Sequence, residues 1–334
     1  MNAYIKAISY YLPEQIVTNE ELVAEFPEWT VEKIAEKVGV NQRHVASKDE
    51  TATDLATKAA EKLFENNPEL KREDIDFVLL CTQSPDYFLP SSSCIIQDRL
   101  GIPTTCGAFD FNLGCSGYVY GLAIAKGLIA GNIAKNVLLL TAETYTKYLH
   151  QKDKGNRTIF GDAASATLVS TDGFAQIKDF ALGTNGAGAN NLIVKTGASR
   201  HADKADDLYL DENGNPHSSD YLFMNGSEIF SFTQKNVPAV VKQTLAKNDL
   251  SADDVNMYIF HQANSYMLNF LRKKIKIEPE KFYINMTDIG NTVSNSIPIA
   301  LSQVYADDEL HGNVLICGFG VGYSWGGCLL SVKK

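Results

Sequence analysis

One cysteine of this sequence stands in a setting that favours nucleophilic chemistry. Cys115 lies in the segment Gly114-Cys115-Ser116-Gly117, after a strand-like run and before an apolar helical run. Glycines on either side of a nucleophile permit the sharp strand-to-helix turn that exposes its reactive atom above a sheet. The start of the next helix adds about half a positive charge, which favours thiolate over thiol. We therefore predict that Cys115 is an activated nucleophile.

Two more polar residues stand at positions that suit a reactive site. His261 ends the run 257–260 and is followed by Asn264, which can cap a helix. A histidine at the carboxyl end of a strand faces the edge where α/β proteins bind ligands. Asn291 follows Gly290, a pair that also occurs in ordinary turns. His261 and Asn291 are both candidate hydrogen-bonding groups for chemistry at Cys115.

An internal repeat links these three residues. The run 75–83 recurs 180 positions later as 255–262, which ends at His261. Gly114-Cys115 corresponds in the same way to Gly290-Asn291, and the run 136–139 to 313–316. Because a duplicated fold brings equivalent strand ends together at its centre, the repeat predicts that Cys115, His261 and Asn291 meet in space.

Strand-like and helical segments alternate through both halves of the repeat, which is typical of layered α/β units with mixed or parallel sheets. We predict two pseudo-equivalent halves, 1–172 and 173–334, divided at the turn cluster 170–173. The stretch 183–219 is rich in Gly, Asn, Asp and His. So long an excursion is usually functional, and it covers either the site or a dimer interface. The predicted strands are 77–81, 108–112, 137–141, 164–170, 207–210, 257–260, 282–285, 313–317 and 326–332, and the predicted helices are 92–100, 116–131, 264–275 and 296–305.

The composition excludes several classes of protein. A net charge of −10 argues against general nucleic-acid binding, which depends on a basic surface. No apolar run approaches the roughly 20 residues of a membrane span, and the N-terminus lacks a signal-peptide pattern, so we expect the cytoplasm and no membrane association. The six cysteines form no Cys-x-x-Cys motif, which suits a reducing compartment. One local basic run, Arg272-Lys273-Lys274-Ile275-Lys276, is either a solvated helix face or a docking patch for an acidic partner.

The glycine-rich segment 318–327 stands between two strand-like runs. Its backbone N–H groups could approach a ligand and hold a developing oxyanion. It is not a dinucleotide-binding fingerprint, because the spacing of its glycines is wrong and the required helix does not follow. Gly186-Ala187-Gly188 does not match that fingerprint either, for similar reasons. The sequence also has no phosphate-binding loop and no paired metal-ligand spacing. We expect no metal and no nucleotide cofactor.

The chain resembles the β-ketoacyl-[acyl-carrier-protein] synthase III family along nearly its whole length. The resemblance implies a duplicated thiolase-like fold of α/β/α/β/α layers, a homodimer and a Cys-His-Asn site. The segments that carry it are Gly114-Cys115-Ser116-Gly117, Phe160-Gly161-Asp162, His261-Gln262-Ala263-Asn264, Gly290-Asn291-Thr292, Ser296-Ile297-Pro298, Gly318-Phe319-Gly320 and Trp325-Gly326.

The same resemblance implies a reaction and its residues. Cys115 would accept an acyl group from an acyl-CoA primer, and His261 with Asn291 would promote decarboxylation of a malonyl-carrier protein, giving a 3-oxoacyl-carrier protein. The N–H groups of Cys115 and Val321 would hold the tetrahedral oxyanion. CoA and carrier-protein thioesters are then substrates, and no cofactor is needed. By position in the family pattern, Trp29, Arg43, Lys154, Arg157 and Asn264 would contact CoA or phosphopantetheine, and Arg272, Lys273 and Lys274 would dock the carrier protein.

The sequence departs from the family pattern at several of these places. The spacing between Trp29 and Gly39 is longer than usual, Lys154 stands where an arginine is common, and Val321 replaces a glycine. Leu89 stands where many members have a phenylalanine that limits the primer pocket from across the dimer. A smaller residue there predicts a primer longer or more branched than acetyl, unless Phe88 refills the space.

Other functions fit the same residues. A synthase III-like acyltransferase, or a condensing enzyme of a specialised pathway, would keep the fold and change the acceptor or product. A cysteine hydrolase would use His261 as a base and Asn291 to orient it, but it leaves the repeat unexplained. A non-catalytic acyl-CoA-binding protein would leave Cys115 unmodified.

Overall fold

A ten-stranded sheet organises the chain. The computed structural model describes residues 1–212 and 214–333. The strands of the sheet are β1 (Tyr4–Tyr11), β4 (Phe77–Cys81), β5 (Gly107–Phe111), β6 (Asn136–Glu143), β7 (Ala163–Ser170), β8 (Ala175–Thr184), β13 (Met257–Phe260), β14 (Phe282–Tyr283), β15 (Gly312–Gly320) and β16 (Ser324–Val332). Shorter strands form three pairs at the periphery: β2 (Ile16–Thr18) with β3 (Gln42–His44), β9 (Leu192–Ile193) with β12 (Phe223–Met224), and β10 (Tyr209–Leu210) with β11 (Pro216–His217).

The strand order shows the duplication directly. One run of five strands is ordered β1-β7-β6-β4-β5, and the other is ordered β8-β16-β15-β13-β14. The two orders are identical when β8 is matched to β1, β13 to β4 and β15 to β6. In both runs the pairings around β4 and around β13 are parallel, whereas the remaining pairings are antiparallel. The runs join where Tyr4 and Ile5 pair with Gln176 and Ala175.

Helices cover and separate the two runs. The helices are α1 (Asn19–Glu25), α2 (Val31–Val38), α3 (Ala52–Asn66), α4 (Ser92–Arg99), α5 (Gly117–Ala130), α6 (Lys154–Arg157), α7 (Gly226–Lys247), α8 (Ser265–Ile275) and α9 (Ser296–Ala306). One buried apolar cluster combines side chains of α5 and α9 with strands of both runs, including Leu122, Ile297 and Leu330. Helices α5 and α9 therefore form the middle layer of the fold.

The outer layers each have their own apolar cluster. Helices α3 and α4 cover the first run, and α7 and α8 cover the second. Local sequence fixes where several helices begin. Thr51 and Asp54 form a reciprocal capping box at α3, which satisfies two backbone N–H groups, and Asn264 accepts a hydrogen bond from the Met267 N–H at α8. The cap predicted for Asn264 is confirmed.

The predicted fold class is confirmed, and the differences are local. The strand predicted at 282–285 is limited to Phe282–Tyr283, and the strand predicted at 207–210 to Tyr209–Leu210. The sequence analysis identified neither the ten-residue strand β8 nor the long helix α7. The glycine-rich segment is mostly strand, because β15 runs to Gly320 and β16 begins at Ser324. Among the described helices, none is long and apolar enough to cross a membrane.

Candidate active site

Cys115 lies in the tight turn between β5 and α5, as its sequence setting predicted. The Gly117 N–H donates to the Gly114 carbonyl oxygen at 2.7 Å, which closes the turn. Glycines let other segments come close to it. A Cβ atom added to Gly320 would lie 3.0 Å from Cys115 Sγ, and one added to Gly117 would lie 2.3 Å from Cys81 Sγ. The end of β15 therefore packs directly against Cys115.

The resting thiol of Cys115 is not activated as the sequence analysis expected. Burial, and then the negative charge of Glu143, raise the pKa of Cys115 to about 12. The loss of water around the sulfur therefore opposes the stabilisation of the thiolate that we expected from the start of α5. At neutral pH the side chain is a thiol in the unliganded protein.

His261 stands at the carboxyl end of β13, and its backbone N–H donates to the Cys317 carbonyl oxygen at 2.8 Å. Burial lowers the pKa of His261 to about 3, so the imidazole is neutral at working pH. Its Nδ1 lies 2.8 Å from Ser296 Oγ, a hydroxyl that also accepts from the Gln262 N–H at 3.3 Å. The single proton of the same hydroxyl is donated either to the Val293 carbonyl oxygen at 3.2 Å or to Nδ1. When Ser296 donates to Nδ1, the proton of the ring is on Nε2.

The side-chain amide of Asn291 is oriented by two hydrogen bonds. Its Oδ1 accepts from the Val293 N–H at 2.9 Å, and its Nδ2 donates to the Ala263 carbonyl oxygen at 3.3 Å. An amide nitrogen has two N–H groups. One N–H of the Asn291 amide therefore donates to the Ala263 carbonyl oxygen, and this bond does not involve the second N–H.

A chain of contacts connects the three residues. Asn291 binds Ala263, whose N–H donates to the His261 carbonyl oxygen at 3.0 Å. The His261 ring packs edge-on against Phe319, with ring centroids 5.5 Å apart. Phe319 precedes Gly320, which touches Cys115, and Cys115 shares an apolar cluster with Val293. The structure thus brings Cys115 of the first half next to the His261 and Asn291 segments of the second.

A cavity of about 860 Å³ lies beside this cluster. Its walls are largely apolar and aromatic. They include Tyr145, Tyr148, Leu192, Leu222 and Val321, all of which share the apolar cluster of Cys115 as core or packed members. Residues 192–198 of the 183–219 excursion form one wall, so the first part of that excursion covers the cavity. Phe88 also lines the cavity, whereas Leu89 does not.

A second group of predicted residues gathers around the connection between α1 and α2. The ammonium of Lys33 lies 5.5 Å from the centroid of the half-buried Trp29 ring. Arg157 binds both carboxylate oxygens of Glu25, at 2.6 and 3.0 Å, and Lys154 forms an ion pair with Glu28. Lys154 and Arg157, two of the three basic side chains expected to contact CoA, are therefore paired with carboxylates.

Arg43 lines a cavity of about 260 Å³ together with Arg157. It is almost fully buried and donates to the Val17 and Thr158 carbonyl oxygens and to Asn19 Oδ1. Burial lowers its pKa to about 10. Its guanidinium holds three peripheral segments together, and its contact with CoA stays a prediction.

The basic run at the end of α8 divides into two parts. Arg272 is half-buried and donates to the Ile277 carbonyl oxygen at 3.2 Å, so it terminates its own helix. Lys273 and Lys274 are exposed, and the Lys274 ammonium lies 5.6 Å from the Phe270 ring centroid. Lys276 is exposed as well, so three lysines of the run face solvent, and Arg272 is less accessible than they are.

Comparison with known proteins decides the family. Residues 109–186 match the sequence model described as 3-oxoacyl-[acyl-carrier-protein] synthase III, and residues 245–332 match the model of its C-terminal part. The β-ketoacyl-[acyl-carrier-protein] synthase III of Clostridium perfringens is 36% identical over 334 residues, with 99% of each chain covered. This chain belongs to the β-ketoacyl-[acyl-carrier-protein] synthase III family.

Solved structures of the family have the same fold. A crystal structure of a 3-oxoacyl-(acyl-carrier-protein) synthase III superposes with a TM-score of 0.96 at 47% identity, covering 99% of this chain and all of the other. The priming β-ketosynthase from the R1128 polyketide biosynthetic pathway superposes with a TM-score of 0.85 at 25% identity, covering 99% of this chain and 96% of its own. The thiolase-like architecture expected from the motifs is confirmed.

Two residues near the site, Ser296 and Glu143, were assigned no role from the sequence. Ser296 was noted only as part of a motif, although its hydroxyl contacts the His261 ring. Glu143 was missed, although it is a carboxylate at the very end of a buried apolar strand. That placement was a usable signal, because a charged residue is rarely buried without a specific reason.

Proposed function

We propose that this family member catalyses the decarboxylating condensation of an acyl-CoA primer with malonyl-acyl-carrier protein. The product is a 3-oxoacyl-carrier protein, and the reaction initiates fatty acid or related acyl-chain synthesis. The observation that carries this proposal is the meeting of Cys115 with the His261 and Asn291 segments beside a large apolar cavity. Membership of a family of acyl-transferring condensing enzymes supports it.

The first stage is an acyl transfer to Cys115. The sulfur attacks the thioester carbonyl, the bond from the carbonyl to CoA sulfur breaks, and the thiol proton leaves with CoA as CoA-SH. The N–H groups of Cys115 and Val321 hold the intermediate oxyanion, a contact worth roughly 3–4 kcal/mol per donor in enzymes where it has been removed. The acyl chain then occupies the cavity lined by Tyr145, Leu192 and Leu222.

The second stage makes the carbon–carbon bond. His261 Nε2 and the Asn291 amide donate hydrogen bonds to the thioester carbonyl of the malonyl group. Those bonds stabilise the enolate as CO₂ leaves, and the enolate carbon attacks the acyl-Cys115 carbonyl and expels the thiolate. A neutral imidazole suits this role, since burial keeps His261 uncharged and Ser296 can hold its proton on Nε2. Asn291 donates without transferring a proton, which leaves the enolate free to attack through carbon.

The approach to the site is proposed to run past Trp29. Lys154 and Arg157 would exchange Glu28 and Glu25 for the phosphates of CoA. Lysine offers a point charge there, and arginine a planar fork. Asn264 is an additional candidate for the pantetheine arm, although its Oδ1 already caps α8. Lys273 and Lys274 are the proposed contact for the acidic carrier protein.

A homodimer is part of the proposal. Strand β5 is the outer strand of the first run, and its Phe109 is partly exposed. In the single chain Phe88 and Leu89 are 85% and 82% exposed, which is unusual for large apolar side chains. Pairing of β5 with a second copy would cover both features. The proposed compartment is the cytoplasm, since all six cysteines are free thiols.

Incubation of the enzyme with acyl-CoA and ¹⁴C-carboxyl malonyl-carrier protein tests the proposal. We expect stoichiometric ¹⁴CO₂ release and a carrier protein whose mass corresponds to the 3-oxoacyl form. Acyl transfer to an alcohol or amine would release no CO₂. The likeness to a priming ketosynthase of a polyketide pathway favours a specialised acyl pathway as the second candidate, and the identity of the preferred primer separates the two.

A further inference from the structure

Glu143 is a buried carboxylate for which the proposed reaction has no use. It ends β6 and is inaccessible to solvent. Its two oxygens accept hydrogen bonds from the Gln83 N–H at 3.1 and 3.3 Å, from Ser84 Oγ at 3.2 Å and from Ser294 Oγ at 3.1 Å. Burying a carboxyl group is costly, and three converging donors show that this position is built to hold it.

Two of the three donors support the turn that carries Cys115. The Gln83 side chain lies against Gly114, where an added Cβ atom would come within 2.6 Å of Gln83 Oε1. Ser294 lies against Gly117, where an added Cβ atom would be 3.6 Å from Ser294 Cβ. Gln83 belongs to the first half of the chain and Ser294 to the second. Glu143 therefore joins both halves directly behind the nucleophile.

The charge of Glu143 also reaches the nucleophile. Burial raises the pKa values of Cys115, of Cys81 on β4, and of Tyr145 and Tyr148 in the turn after β6, and the carboxylate of Glu143 raises each of them further. Burial, and to a smaller extent Asp162, the residue before β7, raise the pKa of Glu143 itself to about 8. The carboxyl group of Glu143 thus changes its charge close to neutral pH, and this charge acts on the thiol of Cys115.

We propose that Glu143 is a positioning residue that braces the Cys115 turn from both halves of the chain, and that its proton governs how readily Cys115 ionises. The inference rests on the proposed role of Cys115 as the nucleophile. While Glu143 is protonated, the thiol ionises without a negative charge behind it. Once Glu143 is ionised, a thiolate forms only if the proton returns to the carboxylate or if two negative charges are buried together.

This coupling predicts a bent pH profile for thiolate chemistry. Below about pH 8 the amount of thiolate rises tenfold per pH unit, as for any thiol. Above pH 8 the species with a thiolate and a carboxylic acid has the same number of protons as the species with a thiol and a carboxylate, so their ratio no longer depends on pH. The reactivity of Cys115 in the unchanged protein therefore levels off, whereas a neutral residue at position 143 removes the bend.

Alkylation of Cys115 by iodoacetamide between pH 6 and 10 is the test. It is measured on the peptide that contains Cys115, because the exposed Cys94 also reacts. For Glu143→Gln we expect rates within about twofold of the unchanged protein at pH 7, and about tenfold faster alkylation at pH 9, since a pKa of 8 leaves one carboxyl in eleven protonated there. Glu65→Gln, at an exposed position, is the matched control and should reproduce the unchanged profile. Parallel profiles for Glu143→Gln and the unchanged protein would overturn the inference, because a purely structural role shifts the rate equally at every pH.

A second variant decides the matter if Glu143→Gln does not fold. Ser294→Ala removes one donor to the carboxylate, which raises the pKa of Glu143 and should move the bend in the profile to higher pH. An unchanged bend, or a profile without one, would contradict the proposal. Alkylation requires no malonyl donor, so a failure of the condensation assay would count against the proposed function and not against this inference.

Discussion

The contact between Gly320 and Cys115 gives the sharpest prediction for mutagenesis. In Gly320→Ala the new methyl carbon would lie 3.0 Å from Cys115 Sγ and 2.9 Å from its Cβ. Favourable contacts between such atoms begin at about 3.5 Å, so the side chain of Cys115 must move by roughly half an ångström or more. Displacements of about 1 Å at a reacting centre can reduce rates by about a hundredfold. We expect Cys115 to acquire an acyl group about 10- to 100-fold more slowly.

Intact-protein mass spectrometry after mixing with acyl-CoA measures this loading rate. Gly127→Ala is the control, because an added Cβ atom there meets no atom within 4 Å and alanine favours the helix. It should load at the normal rate and be slightly more stable. Thermal unfolding of Gly320→Ala distinguishes a local effect from general misfolding. Loading within twofold of the unchanged protein, in a folded Gly320→Ala variant, would refute the placement of β15 against the nucleophile.

Three further predictions follow from the same structure. The double variant Lys273→Glu, Lys274→Glu should raise KM for malonyl-carrier protein about tenfold and leave the rate of acyl-CoA loading unchanged. Lys71→Glu, at an exposed position distant in sequence from this patch, is the control. Equal effects of the double variant on loading and on condensation would exclude a docking role. The cavity of about 860 Å³ should let isobutyryl- and octanoyl-CoA load at least as well as acetyl-CoA, and strong preference for acetyl-CoA in a competition assay would count against a long or branched primer. Because the pKa of His261 in the folded protein is depressed to about 3, its contribution to stability is present above about pH 6.5 and is lost as pH falls towards 3. Between pH 7 and 4.5, the free energy of unfolding in urea should therefore fall by roughly 2–3 kcal/mol less for His261→Gln than for the unchanged protein. Equal decreases would show that His261 is not buried in its neutral form.

The sequence allowed the architecture to be predicted because the repeat and the strand patterns are local signals. The match of 75–83 with 255–262 corresponds to the equivalence of β4 and β13, which occupy the same place in their runs. The proximity of Cys115, His261 and Asn291 then followed from the duplication alone. Helix α7 was missed because the excursion before it obscured where regular structure resumes.

The electrostatics could not be predicted in the same way. The charge that raises the pKa of Cys115 belongs to Glu143 at the end of β6. The carboxylates that pair with Arg157 and Lys154 are Glu25, at the end of α1, and Glu28, just after it. Those pairings depend on how distant segments pack. Arg43 illustrates the same limit, because its position in the sequence suggested a surface role and its side chain is buried among backbone carbonyl oxygens.

The division of labour among Cys115, His261 and Asn291 is tested most directly by separating loading from condensation in single variants. Intact mass reports the acyl group on Cys115, and ¹⁴CO₂ release from malonyl-carrier protein reports decarboxylation in the same samples. We predict that Cys115→Ala acquires no acyl group, whereas His261→Ala and Asn291→Ala become acylated, retain the acyl group and release no CO₂ at a measurable rate. Complete loss of acylation in either of the latter two variants, with the fold intact, would contradict the account.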